Sequence, residues 1–557
     1  MMSERGIDRR QLLKSFLGLG ALSLVQSGAL SPSLARAQFI SGGGNSLESA
    51  VVGGDRDGTS NSTAHFLEAV ASLPRGGIVV IPPGKYIVEG LPLRDGLYYE
   101  GAGVGKTDGT TGSYLELPAV PSANMFTWDG ATTGYGGGVS GCYLYGGNSA
   151  TYDCIDLSTC SQMHRFCIEQ NMIRGFRRGY MGSGDDRSVQ IQFNNFWNCT
   201  VGVYIENNHP HFTGWNDFRD CTYGIQGLLY DAKVVGQNFT YCTYGIAPTD
   251  STHRPERTMF TGCAFAFCTQ DALVLGPHCN VTGCLILSKT EGSVAGIRIL
   301  SHHNTISGCQ FDADGGVYSE GAIVFDPDYF NGVITGTTIT GNAFRVEGSN
   351  VLYLKASSSG RDIVSMTFTG NTIYECKHVL RRSGNLYGAV LYSVISNNAI
   401  HIQTSTLTRN LTGTITFTNA STAVTGSGSL FTTELQIGDW IRLSGDADTT
   451  ASYRRVSAIA SDTALTLGAS YGATGGAGTG VATSDVIHIT NNGGIGGNAI
   501  NGNNIVIYTG TPGRAGYGIG GQLSLSTVIG NVVRRGLGDV SATTSTSAQI
   551  ANNAPSS

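Results

Sequence analysis

Residues able to exchange protons or carry charge are unevenly spread along this 557-residue chain, in which only 13% of positions are Asp, Glu, Lys or Arg. In the middle of the chain they come in short groups. These are Asp185, Asp186 and Arg187; Glu206, His209 and His211; Tyr230, Asp231 and Lys233; and His253, Arg254, Glu256 and Arg257. His278, then His302 and His303, then Asp326, Asp328 and Tyr329 continue the series. Two chemistries fit these residue types. Lys233, Arg254 and Arg257 can neutralise a substrate carboxylate or act as base, while His209, His211 or Tyr230 exchange protons. Alternatively, Asp186, Glu206, Asp231 and Glu256 offer pairs of carboxyl groups, one to give a proton and one to stay ionised. His209-Pro210-His211 could hold a metal ion, although a proline between two histidines equally marks a turn. Against both readings stands the plain one, that surface loops hold whatever charge a chain has.

What must position these groups is a repeat. Asn194-Asn195-Phe196-Trp197-Asn198-Cys199-Thr200-Val201-Gly202 is followed by near-copies beginning at Asn216 and Gln237. The ladder position recurs at Cys142, Asn171, Asn194, Asn216, Gln237, Cys263, Cys284, Cys309, Asn342, Asn371 and Asn398. Two residues after each comes an apolar one: Leu144, Ile173, Phe196, Phe218, Phe239, Phe265, Ile286, Phe311, Phe344, Ile373 or Ile400. After a gap the pattern is expected to resume at Asn498/Ile500 and Asn531/Val533. Short β-rich runs between Gly, Asn and Asp turns, without helix-length amphipathic patterns, exclude helical and leucine-rich repeats. The expected fold is therefore all-β, a single-stranded parallel β-helix of at least eleven coils with the apolar column stacked inside. Equivalent loop positions on neighbouring coils then become neighbours in space, and the titratable groups form one strip.

Composition agrees. The 80 glycines are about 14% of the chain, roughly twice ordinary usage, and the 14 prolines are too few for collagen. A hydrophobic fraction of 40% excludes disorder, and a net charge of −6 without a basic stripe excludes a nucleic-acid partner. The chain divides into 1–37, 38–411 with cap and solenoid, an inserted small β module at 412–483, returning coils at 484–540, and a tail at 541–557 expected to be disordered. Asp8-Arg9-Arg10-Gln11-Leu12-Leu13-Lys14, a weakly apolar stretch and Ala35-Arg36-Ala37 resemble a twin-arginine export signal, which implies a periplasmic or extracellular protein without a stable membrane anchor. The 13 cysteines fall largely in ladder columns, among them Cys199, Cys221, Cys242 and Cys268, and are expected to be free buried thiols. In the insert, Thr414–Thr418, Ala423–Thr425, Trp440–Leu443, Arg454–Ala458 and Ala464–Leu467 read as strands of a barrel or sandwich. Its expected role is structural or oligomerising, with glycan binding the alternative.

The solenoid opens with Gly54-Asp55-Arg56-Asp57-Gly58, an N-cap at Ser62-Thr63, and a short helix with Phe66, Leu67, Val70 and Leu73 on one face. Gly76-Gly77-Ile78-Val79-Val80-Ile81-Pro82-Pro83-Gly84-Lys85-Tyr86-Ile87-Val88 follows as strand, turn and strand. A helix here would cover the exposed edge of the first coil. These residues resemble the cap and first coil of the pectate-lyase-like right-handed β-helix superfamily, which includes polysaccharide lyases, glycoside hydrolases, uronan epimerases and phage tailspikes. Asn61-Ser62 departs from it, where relatives often have paired Asp. The resemblance implies a polysaccharide-cleaving enzyme, with β-elimination on a uronic-acid polymer ahead of hydrolysis, or a non-catalytic glycan-binding or tailspike-like protein, as monomer or homotrimer. It requires no cofactor and leaves calcium bound by carboxylates as an option. Polygalacturonase-like motifs Gly-His-Gly and Arg-x-Lys are missing, and Asp326-Pro327-Asp328 only partly matches the epimerase Asp-Pro-His. Gly101-Ala102-Gly103-Val104-Gly105-Lys106-Thr107 is not a phosphate loop, because Glu100 stands where its first glycine is needed.

Overall fold

The computed structural model describes residues 49–557 apart from 54, 75, 106–109, 183, 209, 289–291, 314, 331, 359, 383–388, 404–407, 436–438, 447–451, 472–474, 484–486, 490–497, 509–518, 524–526, 530, 535–539, 545–548, 552, 553 and 557. Residues 1–37, expected to be an export signal, and His209 thus lie outside the described residues. Each coil gives one strand to each of three sheets. Gly138–Ser140 turns into Cys142–Tyr145, continues to Ile155–Asp156, and returns as Cys167–Glu169, in register beside Gly138–Ser140. Repeating this circuit builds sheet 1 with 17 strands, sheet 2 from Asp57–Asn61 to Ala554–Ser556, and sheet 3 with 15 strands. Their pairings are parallel, and the fold is a parallel β-helix. No helix among the described residues is long and apolar enough to cross a membrane.

The apolar column pairs rung on rung along sheet 2, Leu144 to Ile173 to Phe196 and onward to Phe344, Ile373 and Ile400, every member fully buried. Phe196, Phe218, Phe239 and Phe265 stack with centroids 4.8–4.9 Å apart and planes 4–8° from parallel. The glycine in each repeat explains how such rings fit. A Cβ at Gly202 would stand 2.6 Å from the Phe218 ring, and one at Gly224 would stand 2.5 Å from the Phe239 ring. Sheet 3 approaches the ring column too closely to bear side chains there, so Phe and Gly recur together.

Beside the column runs a side-chain ladder. Asn216 Oδ1 accepts from the Asn194 backbone N–H at 2.9 Å and the Asn194 side-chain amide at 3.1 Å. Its own Nδ2 donates to Ile191 O at 2.9 Å and to Gln237 Oε1 at 2.7 Å. Cysteines in this column use the same carbonyl position, Cys263 Sγ reaching Val234 O and Cys309 Sγ reaching Val281 O. All 13 cysteines are thiols outside any disulfide, and all but Cys167 are buried. Corner residues such as Asn198, Asp220 and Tyr241 hold φ of 53–57°, a left-handed conformation repeated on successive coils.

Several expectations need correction. Asn398 Nδ2 donates to Asn503, not Asn498, and Ile400 pairs with Ile505. Asn498 instead belongs to another corner, where its Oδ1 accepts from Ser393 N–H, and Ile500 sits in sheet 1. The Asn-x-Ile pattern occurs twice within eight residues, and only the register separates the copies. Helix α1, Thr63–Ala71, buries Phe66, Ala69 and Val70, with Leu73 just beyond it, but leaves Leu67 exposed, because Leu67 lies off that stripe. Ser62 Oγ donates to Asp55 O and makes no capping bond, while Asn61 Oδ1 accepts from Thr63 N–H. The tail does not end the fold: Val540–Thr544, Gln549–Ala551 and Ala554–Ser556 add one more parallel strand to each sheet. The insert is an antiparallel eight-stranded sheet spanning Thr408–Asn410 to Gly480–Thr483, with its own core around Ile415, Phe417, Phe431 and Ile441.

Two outcomes follow from the ladder. Asn216→Ala strands buried donors and acceptors on both neighbouring coils and should cost about 3 kcal/mol. Asn280→Ala, at a half-buried outward side chain that accepts from Thr282, should cost less, about 1 kcal/mol. Denaturant midpoints compare the two, and equal shifts would deny the ladder its role. In a thiol-reagent titration, the native protein should expose essentially only Cys167, whereas all 13 cysteines should react once the chain is unfolded.

Candidate functional site

The titratable strip lies where the chain leaves sheet 3 and returns to sheet 1. A backbone ladder defines this corner: the N–H groups of Asp231, Arg257, His278 and His303 donate to Glu256, Pro277, His302 and Thr335 on the next coil, at 2.7–3.1 Å. Those four donors all have φ between 49° and 59°. They form one left-handed column, and a bridge between Tyr230 and Glu256 starts a second column that continues through Pro277 to His302. The backbone strain, about 1 kcal/mol per residue, is offset by the repeated bond.

Not every residue of the strip joins these columns. Glu206 is exposed on Val201–Asn208 of sheet 3, within the register shift between Ile205 and Asn208. Lys233 lies beside His211 in sheet 1, on its outer face. Asp186 is in a small sheet with Gln162–His164 and Thr133–Tyr135, paired with Met163, and its side chain is outside the described parts. The corner crossings differ in length from coil to coil. Asp186, Glu206, Asp231 and Glu256 therefore do not align as carboxylates on successive rungs: the rung partner of Glu256 is Tyr230, and that of Asp231 is Arg257.

Contacts within the columns are specific. Arg257 Nη1 donates to Tyr230 Oη at 2.5 Å, with its guanidinium 5.3 Å from the ring centroid. Asp250 accepts from His253 at 2.8 Å, and hydrogen bonds from Thr252 and His253 hold its carboxyl well below the usual range. Arg254 Nη1 donates to Ser251 O, and burial lowers its pKa, with Glu256 as its opposing charge. Burial raises the Tyr329 phenol, beside Asp250 and Arg254. His302 is held below its ordinary pKa by burial and then by His303 and His278.

A second group, mostly absent from the sequence reading, sits on the outer side of sheet 3. Arg298, itself nearly buried, binds Asp271 through Nε and Nη2 at 2.8 and 2.9 Å, Glu320 through Nη2 at 2.8 Å, and Asp326 through Nη1 at 2.9 Å. Lys355 Nζ lies 2.8 Å from Glu320 and 3.9 Å from Asp326. Burial alone would raise both carboxyls. For Glu320, Arg298 and Lys355 outweigh burial and its pKa falls; for Asp326, burial wins and its pKa rises. Asp326 adjoins Tyr329 and so joins this network to the strip. The available signal was Arg298 itself, a lone charge in the apolar run Ser293–Ile299.

No family model and no curated protein matches the chain. Among solved structures, the catalytic unit of a thermostable GH87 α-1,3-glucanase from Streptomyces thermodiastaticus is similar at 15% identity and TM-score 0.42, over 61% of this chain and 68% of that one. Tailspike protein 3 of bacteriophage CBA120 is similar at 11% identity and TM-score 0.37, over 70% of this chain and 64% of its own length. The A-module of an Azotobacter vinelandii mannuronan C-5 epimerase is similar at 14% identity and TM-score 0.26, over 89% and 98%.

Removing Arg298 tests the network by stability. Arg298→Met leaves carboxylates facing one another in a partly buried site and should cost about 3–5 kcal/mol at neutral pH. The lowered pKa of Glu320 means that its stabilisation is present above the unfolded-state value and is lost as pH falls through the folded one. In the variant, the remaining carboxyls take up protons on acidification, so its deficit relative to the parent should shrink as pH drops through the carboxyl range. A deficit independent of pH would show that Arg298 acts by packing alone.

Proposed function

We propose that this protein is an exported carbohydrate-active enzyme that hydrolyses a polysaccharide, with Asp326 as general acid and Glu320 as the ionised carboxylate. The observation that carries this reading is geometric: Glu320 and Asp326 converge on Arg298 at 2.8 and 2.9 Å, with Lys355 at 2.8 Å from Glu320 and 3.9 Å from Asp326. That arrangement is consistent with burial raising Asp326 while the cations lower Glu320. Glycoside hydrolysis needs one carboxyl that keeps its proton to give to the leaving oxygen and one that stays charged to activate water or attack the sugar. Arg298 and Lys355 orient the pair. The corner columns extend from Asp231 to His303 at one rung per coil, about 4.8 Å, a linear arrangement suited to successive sugars of an extended chain. Exposed Tyr329 adds an aromatic face beside the pair. Calcium has no defined ligand set in this mechanism, and no step uses it.

A second reading, β-elimination, is favoured by one contact: Arg257 on the Tyr230 hydroxyl. A guanidinium stabilises a phenolate, which can take the proton next to a uronate carboxylate. Lys233 and His211, on the face of sheet 1, would then bind the acidic polymer.

The two readings part on product. Incubating the mature protein with neutral and uronic-acid polysaccharides should yield new reducing ends without the absorbance of an unsaturated product. Asp326→Asn and Glu320→Gln should each lower kcat by at least about 100-fold, while Tyr230→Phe should leave it within a few-fold. The parent should be active on the acid side of neutrality. Activity should be lost as pH rises through the elevated Asp326 pKa and as it falls through the lowered Glu320 pKa. Unsaturated product that disappears in Tyr230→Phe would establish elimination instead. Silence across the panel would leave a non-catalytic glycan-binding role.

A further inference from the structure

Three imidazoles meet where the left-handed corner column passes from one coil to the next. His278 and His303 stand on adjacent rungs with rings stacked at 5.1 Å and 14° from parallel. His302 meets both edge-on, at 5.4 and 5.0 Å. One ring nitrogen from each lies within 4.8 Å of the others, and no other group of three or more histidine, cysteine or acidic side chains among the described residues is so arranged. Of the pair that spacing alone suggested for a metal, His211 is not part of this cluster, and His209 lies outside the described residues.

Two features of the surroundings hold the rings in place. The next rung after His303 is Gly336, where a Cβ would stand 2.5 Å from His303 Cδ2. The missing side chain makes room for that imidazole, so His303 can lie flat along the column. Ser301 is buried, and its hydroxyl lies 3.1 Å from His302 Nδ1. With Nδ1–H donating to the Ser301 hydroxyl oxygen, Nε2 is left as the coordinating nitrogen and the ring is held in its orientation. The backbone is equally constrained, since His278 N–H donates to His302 O. Glu256, a charged neighbour of His302, offsets the positive charge of Arg254 beside it.

We propose that His278, His302 and His303 bind one divalent transition-metal ion of the zinc type, with a further coordination position open to water or an added ligand. Neutral imidazoles suit zinc, nickel or copper and disfavour calcium or magnesium, which take oxygen ligands. Zinc–nitrogen bonds of about 2.0 Å in a tetrahedron place nitrogens roughly 3.3 Å apart. Exposed His278 and His303 reach that spacing by small side-chain rotations, while the more enclosed His302 stays fixed. Three protein ligands and an open position are the pattern of reactive rather than purely structural zinc sites. The inference is separate from the hydrolytic reading, because its measurement is binding and not turnover.

Calorimetric titration of the chelator-stripped full chain with zinc chloride tests it. One equivalent should bind with micromolar or tighter affinity, unaffected by millimolar calcium. His278→Gln and His302→Gln should each weaken binding by at least about ten-fold, with circular dichroism in chelator unchanged. If either variant fails to fold, His303→Asn, at an exposed ring, supplies the same comparison. His211→Gln should bind zinc as the parent does. Absence of stoichiometric binding, or binding lost in His211→Gln and kept in the three cluster variants, would overturn the site.

Discussion

The described strands of the three solenoid sheets pair in parallel with the equivalent strand one coil away. That constraint, a parallel rung repeated at the strand spacing, decides which side chains each position tolerates. Inside, it demands residues that pack on copies of themselves, and phenylalanine stacked on phenylalanine at 4.8–4.9 Å meets the demand. At the tight corner it demands a side chain that both donates and accepts along the axis, which asparagine does and a valine would not. Cysteine substitutes where only the donor toward the preceding carbonyl is kept. Glycine appears opposite the rings because close approach leaves it no room for a Cβ.

The same constraint has the opposite effect on charge. Equivalent charged residues on successive coils would repel at rung distance, so the outer columns alternate in type. Asp231 is followed by Arg257, and then by two histidines whose rings stack. Where carboxylates do gather, at Asp271, Glu320 and Asp326, a single guanidinium sits among them. Arg298 thus makes an acidic cluster tolerable and also separates the proton affinities of its members, because Lys355 sits closer to Glu320 than to Asp326. The same network leaves the two carboxyls with proton affinities displaced in opposite directions, Asp326 upward by burial and Glu320 downward by its cations.

The corner from sheet 3 to sheet 1 is the part of the coil that varies in length, and it carries the titratable strip. Its backbone is nonetheless not loose. The N–H ladder through Asp231, Arg257, His278 and His303 fixes four left-handed residues in line, so their side chains emerge from a rigid base. Binding groups built on such a base lose little freedom when a ligand arrives.

Much of the fold was legible in the chain because a repeat prints its core at regular intervals. The apolar column from Leu144 to Ile400, its asparagine and cysteine companions, and the insert with its strands could be read directly from spacing. Spacing could not choose between Asn498 and Asn503, since both begin Asn-x-Ile and only strand register tells one corner from the other. Nor could it align the functional groups. Glu206, Asp231 and Glu256 are each one coil apart in sequence, yet crossings of unequal length put them in different columns. His278, His302 and His303 were visible as residues, but their convergence depends on where the chain re-enters the ladder and on the empty place at Gly336. Local pattern determined which residues point inward, because burial repeats with each coil. Tertiary register alone decided which outward groups meet, because surface loops are bound by no period and only the stacking of coils sets their neighbours.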